Sequence, residues 1–237
     1  MWIHVSWFAV FGLVVWTTTD EFGAALPELP LVERLAMASV MGIAFFACLA
    51  VHEVAHAVVA RRFAVRVRGI TLFLLGGVAE IDGELPSPGS EFAVALAGPA
   101  TSVVIASVTA LGSRWAHRLG WAGPEGVLFI LSAVNLGVAV FNLIPGLPLD
   151  GGRILRAVIW RWTGNFIRAT KVAAIGGRVV AATLVAIGIG VSLTGHPVAL
   201  WYLLMGIFIW FLARASGKAA PPVRSGALAL TREGEAA

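Results

Sequence analysis

Apolar residues in this chain come in long runs rather than in the short alternations of a soluble fold. A helix that crosses a bilayer needs about 20 mostly apolar residues. Six stretches are candidates: 2–18, 31–60, 91–111, 125–144, 172–193 and 197–213. The first has neither the basic leading region nor the small-residue cleavage site of a signal peptide, so it reads as a spanning helix. Pro27 and Pro30 punctuate the approach to the second stretch, and residues 120–126 do the same before the fourth. In the fifth, the glycines of Ile187, Gly188, Ile189, Gly190 and Val191 would let neighbouring helices approach closely.

One segment, 65–84, departs from this pattern. Val65, Arg66, Val67 and Arg68 alternate, then a short apolar run from Ile70 to Leu75 is ended by Gly76 and Gly77. It is too short and too interrupted by glycine to span, and it reads as one or two β-hairpins. Within a membrane its backbone must be buried in protein or line a wet cavity. The predicted fold class is therefore an all-α polytopic membrane protein with six transmembrane helices and a small membrane-associated β-hairpin or sheet after the second. Residues 1–215 form one core, and 216–237, with Pro221 and Pro222, form a disordered cytoplasmic tail.

Composition supports a membrane protein: 59% of the 237 residues are hydrophobic and 13% charged, about half the charged share of a soluble domain. Mean hydropathy is +0.89. The lone Cys48 excludes an intrachain disulfide and a cysteine-rich zinc site. A net charge of +4 is no sign of nucleic acid here, because the basic residues are distributed by side. With a cytoplasmic amino terminus, one side collects Arg61, Arg62, Arg66, Arg68, Arg153, Arg156, Arg161, Arg168, Lys171, Arg178, Arg214, Lys218, Arg224 and Arg232. The other holds Arg34, Arg114 and Arg118 among Asp20, Glu21, Glu28, Glu33 and Glu125. That bias places both termini in the cytoplasm, and six crossings agree with it.

Chemistry concentrates in the second stretch, where His52, Glu53 and His56 form H-E-x-x-H. One helical turn separates the two imidazoles, so they share a face and can grip one metal ion. Glu53 projects beside them, placed to take a proton from water. Ionisable residues in an apolar segment are costly and usually functional. Zinc needs a third protein ligand from the same depth. His4, His117 and His196 are poorly placed for it. Asp150, after the fourth stretch, fits, although an aspartate before Gly151 and Gly152 also reads as a turn residue.

Asn142, Pro145, Pro148, Leu149, Asp150, Gly151 and Gly152 resemble the second signature of the site-2 protease family of intramembrane zinc metalloproteases, and His52-Glu53-x-x-His56 resembles the first. Val5 to Phe8, Leu75 to Gly77, and Ala95 to Ala100 match as well, so the resemblance covers nearly residues 3–213. It implies one zinc ion held by His52, His56 and Asp150, with Glu53 as general base and Asn142 near the scissile carbonyl. It also implies that the strand bearing Phe73, Leu74, Leu75, Gly76 and Gly77, with Pro145, binds an unwound substrate segment by β-augmentation. The implied function is hydrolysis in or near the transmembrane segment of single-span membrane proteins, such as anti-sigma factors or signal-peptide remnants. A protease of the site-1 type would cut first. The site would lie near the cytoplasmic side. Many relatives add CBS or PDZ domains; this sequence matches the core alone and reads as a minimal form, and no segment specifies an oligomer. The alternative is a non-catalytic membrane adaptor or metal-handling protein on the same scaffold. A transporter is disfavoured because the motif sits near one face.

Overall fold

The computed structural model describes residues 2–3, 6–65, 67–73, 76–81, 85–195 and 198–217. In chain order the elements are β1 (Trp2–Ile3), α1 (Ser6–Ala25), α2 (Leu31–Arg61), β2 (Val67–Phe73), β3 (Gly76–Ile81), α3 (Pro88–Arg118), α4 (Ala122–Asn142), α5 (Asp150–Thr163), α6 (Phe166–Ser192) and α7 (Val198–Ser216). Among the described helices, five are long and apolar enough to cross a membrane: α2, α3, α4, α6 and α7. The expectation of six is corrected to five. α1 is not among them, because it carries Thr17, Thr18, Thr19, Asp20 and Glu21 in its later turns. Trp2 and Ile3, expected to begin a spanning helix, are extended instead and pair in parallel with Thr71 and Leu72. Five crossings also remove the parity that agreed with two cytoplasmic termini.

The chain divides into two compact units, one of Met1–Val58, Val67–Glu80 and Ala97–Phe141, the other of Val59–Arg66, Ile81–Leu96 and Asn142–Ala237. In the first, strand order is β1-β2-β3. The sheet is thus not a simple hairpin within 65–84, since a strand from the amino terminus joins it. Gly42 lets α2 approach Phe11 of α1, where an added Cβ would come within 3.0 Å of the ring, and Gly112 similarly accommodates Leu128 of α4. Ser132 Oγ donates to the Ala106 carbonyl at 2.8 Å, and Ser113 Oγ to the Glu125 carbonyl at 3.1 Å. Hydroxyl bonds and small-residue contacts of this kind replace the hydrophobic effect between helices in lipid.

Large and small apolar residues are sorted accordingly. Alanines such as Ala38, Ala95, Ala106 and Ala139 are buried, while Val104, Val108, Leu111, Phe129 and Val140 point outward. In water such a surface would be an aggregation hazard. In a bilayer the tails solvate it, and the interior is free to use small residues that bring backbones close.

In the second unit α6 packs on both α5 and α7. Gly188 and Gly206 are the close points of α6 and α7: a Cβ at 188 would meet Leu203, and one at 206 would meet Val185 and the Ala181 carbonyl. Gly190, the other glycine of the expected alternation, faces open space. The amphipathic α5 was not anticipated. Its Arg153, Arg156 and Arg161 make it look like a cytoplasmic loop, yet it buries Asp150, Gly151, Gly152, Arg156 and Ala157. It ends at Gly164, whose φ of 65° suits glycine. Asn165 then caps α6, its side chain accepting from the Arg168 N–H at 2.9 Å. The proposed tail lies outside the described residues apart from Ser216 and Gly217.

Candidate metal centre

α2 places His52 and His56 on one face, with ring centroids 4.9 Å apart and planes at 75°. Both are buried, 2% and 4% exposed. Such burial is costly for imidazoles unless their nitrogens are satisfied. For His52 the inner nitrogen is: Nδ1 lies 2.8 Å from Ser102 Oγ on α3. With the hydroxyl accepting from Nδ1–H, the lone pair is left on Nε2, the tautomer a metal needs.

Both Nε2 atoms look onto Gly98, one turn before Ser102. A Cβ at that position would collide with His52 Nε2 and His56 Nε2 and come within 2.6 Å of His56 Cε1. Glycine therefore keeps open the space between two nitrogens that a shared ion, about 2.0–2.1 Å from each, requires.

Asp150 opens α5 and is 8% exposed. A carboxylate is favoured in a first helical turn, where the backbone N–H groups present partial positive charge. The approach to it is built from backbone contacts. A Cβ on Gly151 would strike the Leu143 carbonyl, one on Gly152 the Gly146–Leu147 peptide, and one on Gly177 of α6 the Leu147 carbonyl. Leu147 N–H donates to the Ala173 carbonyl at 3.0 Å. The glycines of this stretch thus allow the 143–149 loop to lie directly on α6 and the start of α5.

Among the described residues, His52, His56 and Asp150 form a group able to hold a metal ion. Each offers one ligand atom, and these atoms all lie within 4.8 Å of one another. Two imidazoles and one carboxylate are a donor set suited to a catalytic site with a position left over. Glu53 adjoins on α2 and is half-buried, Asn142 ends α4 half-buried, and Pro145 is exposed in the 143–149 loop. Phe73 ends β2 and Gly76 and Gly77 open β3. Leu74 and Leu75 lie outside the described residues. Sequence reasoning matched Ala95 to Ala100 as a stretch but missed the roles of Gly98 and Ser102. Their spacing of one turn was the available signal.

The sequence pattern of Peptidase family M50 matches residues 40–118 and 117–187. The chain belongs to peptidase family M50. Curated relatives are similar over most of this M50 chain. Rip3 of Mycobacterium tuberculosis is 38% identical over 216 residues, 90% of this chain and 54% of its own length. The Synechocystis protein sll0528 is 35% identical over 92% of this chain and 56% of its own length. The zinc metalloprotease MJ0392 of Methanocaldococcus jannaschii is 33% identical over 76% and 50%. The chain spans about half the length of these curated relatives. The solved site-2 protease from Methanocaldococcus jannaschii is similar in fold, with a TM-score of 0.62 at 26% identity, covering 92% of this chain and 91% of that one.

Proposed function

We propose that this M50 protein is an intramembrane zinc endopeptidase with His52, His56 and Asp150 as zinc ligands. The observation that carries the reading is the preparation of the histidine pair: both buried, one oriented by Ser102, and both facing the gap kept by Gly98. Bound zinc supplies Lewis acidity, which acidifies water and polarises a peptide carbonyl. Glu53 takes one proton from the attacking water and returns it to the leaving amine as the C–N bond breaks. Asn142 donates an amide hydrogen to the carbonyl oxygen as negative charge develops there.

The substrate is the transmembrane segment of a single-span membrane protein, such as an anti-sigma factor or a signal-peptide remnant, trimmed beforehand by a site-1-type protease. A helix must give up internal hydrogen bonds before cleavage, and the strands from Val67 to Ile81 can replace them by pairing with the unwound segment. The family resemblance assigns Pro145, exposed in its loop, to substrate binding. The Arg61–Arg62 pair just past His56 supports a cytoplasmic placement of the site. Arg214, Lys218, Arg224 and Arg232 likewise support a cytoplasmic carboxy terminus, which with five spanning helices puts the amino terminus on the opposite side.

Glu53→Gln tests the mechanism. The variant should keep one zinc per chain and lose cleavage of a reconstituted single-span substrate by about 10²–10⁴-fold. Cleavage at the wild-type rate would sink the assignment. If wild-type protein binds zinc and cuts no membrane-segment substrate, a metal-handling role takes its place.

A further inference from the structure

The ion pair Glu91–Arg156 takes no part in the proposed hydrolysis. Glu91 sits in the first turn of α3 and Arg156 in the middle of α5. Arg156 Nε donates to Glu91 Oε1 at 2.6 Å, and Nη2 lies 2.5 Å from the same oxygen. The side chains are 1% and 9% exposed. The guanidinium carbon stands 4.8 Å over the Phe166 ring, whose edge-on partner at 5.0 Å is Trp160. Arg156, counted from sequence among the cations of the cytoplasmic side, is held on two sides inside the protein.

Stability is a weak reason for such a pair. Desolvating two charges offsets most of their attraction, and apolar residues of equal volume usually serve a fold as well. What a buried pair does well is fix register, because a charge-assisted bond tolerates little displacement. Here register matters at both ends. Arg156 lies on the same 14-residue helix as Asp150, which begins it. The N-cap, Leu149, makes no side-chain capping bond. On α3, Glu91, Gly98 and Ser102 are spaced by seven and four residues, which at 3.6 residues per turn puts them on one stripe. That stripe grips Arg156 at 91, faces both Nε2 atoms at 98, and binds His52 at 102.

We propose that Glu91 and Arg156 are positioning residues of the metal centre: through them α3, which already aligns the histidines, also sets the place of Asp150. The proposal rests on Asp150 being a ligand. Its test is cobalt(II) binding to the purified 237-residue chain, read as affinity by chelator competition and as the visible absorption of the bound ion. Wild type should bind one ion, and Asp150→Ala should weaken binding and change the spectrum. If Asp150→Ala binds like wild type, the ligand assignment itself fails.

Given that control, Arg156→Met should weaken cobalt affinity about 10–100-fold, the range for groups that orient ligands, and alter the absorption. Arg156→Lys should recover part of both. The double variant Glu91→Gln with Arg156→Met leaves no uncompensated buried charge. It should keep wild-type helical content and unfolding temperature yet show the same affinity loss. A folded double variant with wild-type cobalt affinity and spectrum overturns the proposal. So does failure of both variants to fold, since the pair would then hold the whole fold rather than one ligand.

Discussion

Gly98→Ala is the smallest change that should dismantle the metal centre. It adds one methyl group to a helix interior, where alanine is the better helix former by roughly 1 kcal/mol. On propensity alone the variant should be more stable. The site says otherwise, because the new Cβ would collide with both Nε2 atoms and lie within 2.6 Å of His56 Cε1. Contacts below 3.0 Å are essentially never seen for real Cβ atoms, so the rings must retreat by about 1 Å, against a tolerance of about 0.2 Å in metal–ligand distances. They have little room to do so, since His52 and His56 are 2% and 4% exposed and His52 is tied to Ser102.

A 1 Å misplacement of a functional group costs on the order of 10²-fold, and zinc affinity in Gly98→Ala should fall by at least about that much. The assay is zinc content after dialysis against a graded chelator series, with circular dichroism to follow the helices. Helical content should be unchanged, because the space at risk is between side chains. Wild-type zinc affinity in a folded Gly98→Ala protein would refute the claim that this glycine keeps the ion's place open.

Other consequences follow from the same geometry. Ser102→Ala removes the acceptor for His52 Nδ1–H, 2.8 Å away; zinc affinity should drop about 10–100-fold with the fold intact, measured by the same chelator series. Gly177→Ala places a Cβ against the Leu147 carbonyl, a backbone atom that cannot swing aside. It should destabilise the protein by about 1–3 kcal/mol, the range for overpacking, seen as a lower thermal midpoint in detergent. Gly190→Ala, in the same helix with open space at its Cβ, is the control and should leave that midpoint unchanged or slightly raised.

Much of this was legible from the chain alone, and the reasons are local. Long apolar runs announce membrane helices because hydrocarbon demands internally satisfied backbones, and the helices at Leu31–Arg61, Pro88–Arg118, Ala122–Asn142, Phe166–Ser192 and Val198–Ser216 fall where those runs are. The i, i+4 spacing of His52 and His56 follows from helical pitch and needs no tertiary knowledge. The stretch around Asp150 pointed to a third ligand only with the family resemblance beside it, since an aspartate before two glycines is equally a turn.

What the tertiary structure decided concerns residues whose meaning lies in a partner far along the chain. α5 reads as a basic loop until Arg156 is seen to meet Glu91, 65 positions away. Ser102 is an ordinary small residue of a membrane helix until His52, 50 positions away, is found on its hydroxyl. Trp2 and Ile3 look like the start of a span until β2 offers them a backbone edge. H-E-x-x-H identifies its two histidines by itself because pitch is a local property. The space between their nitrogens is set by a glycine on another helix, and only packing could reveal it.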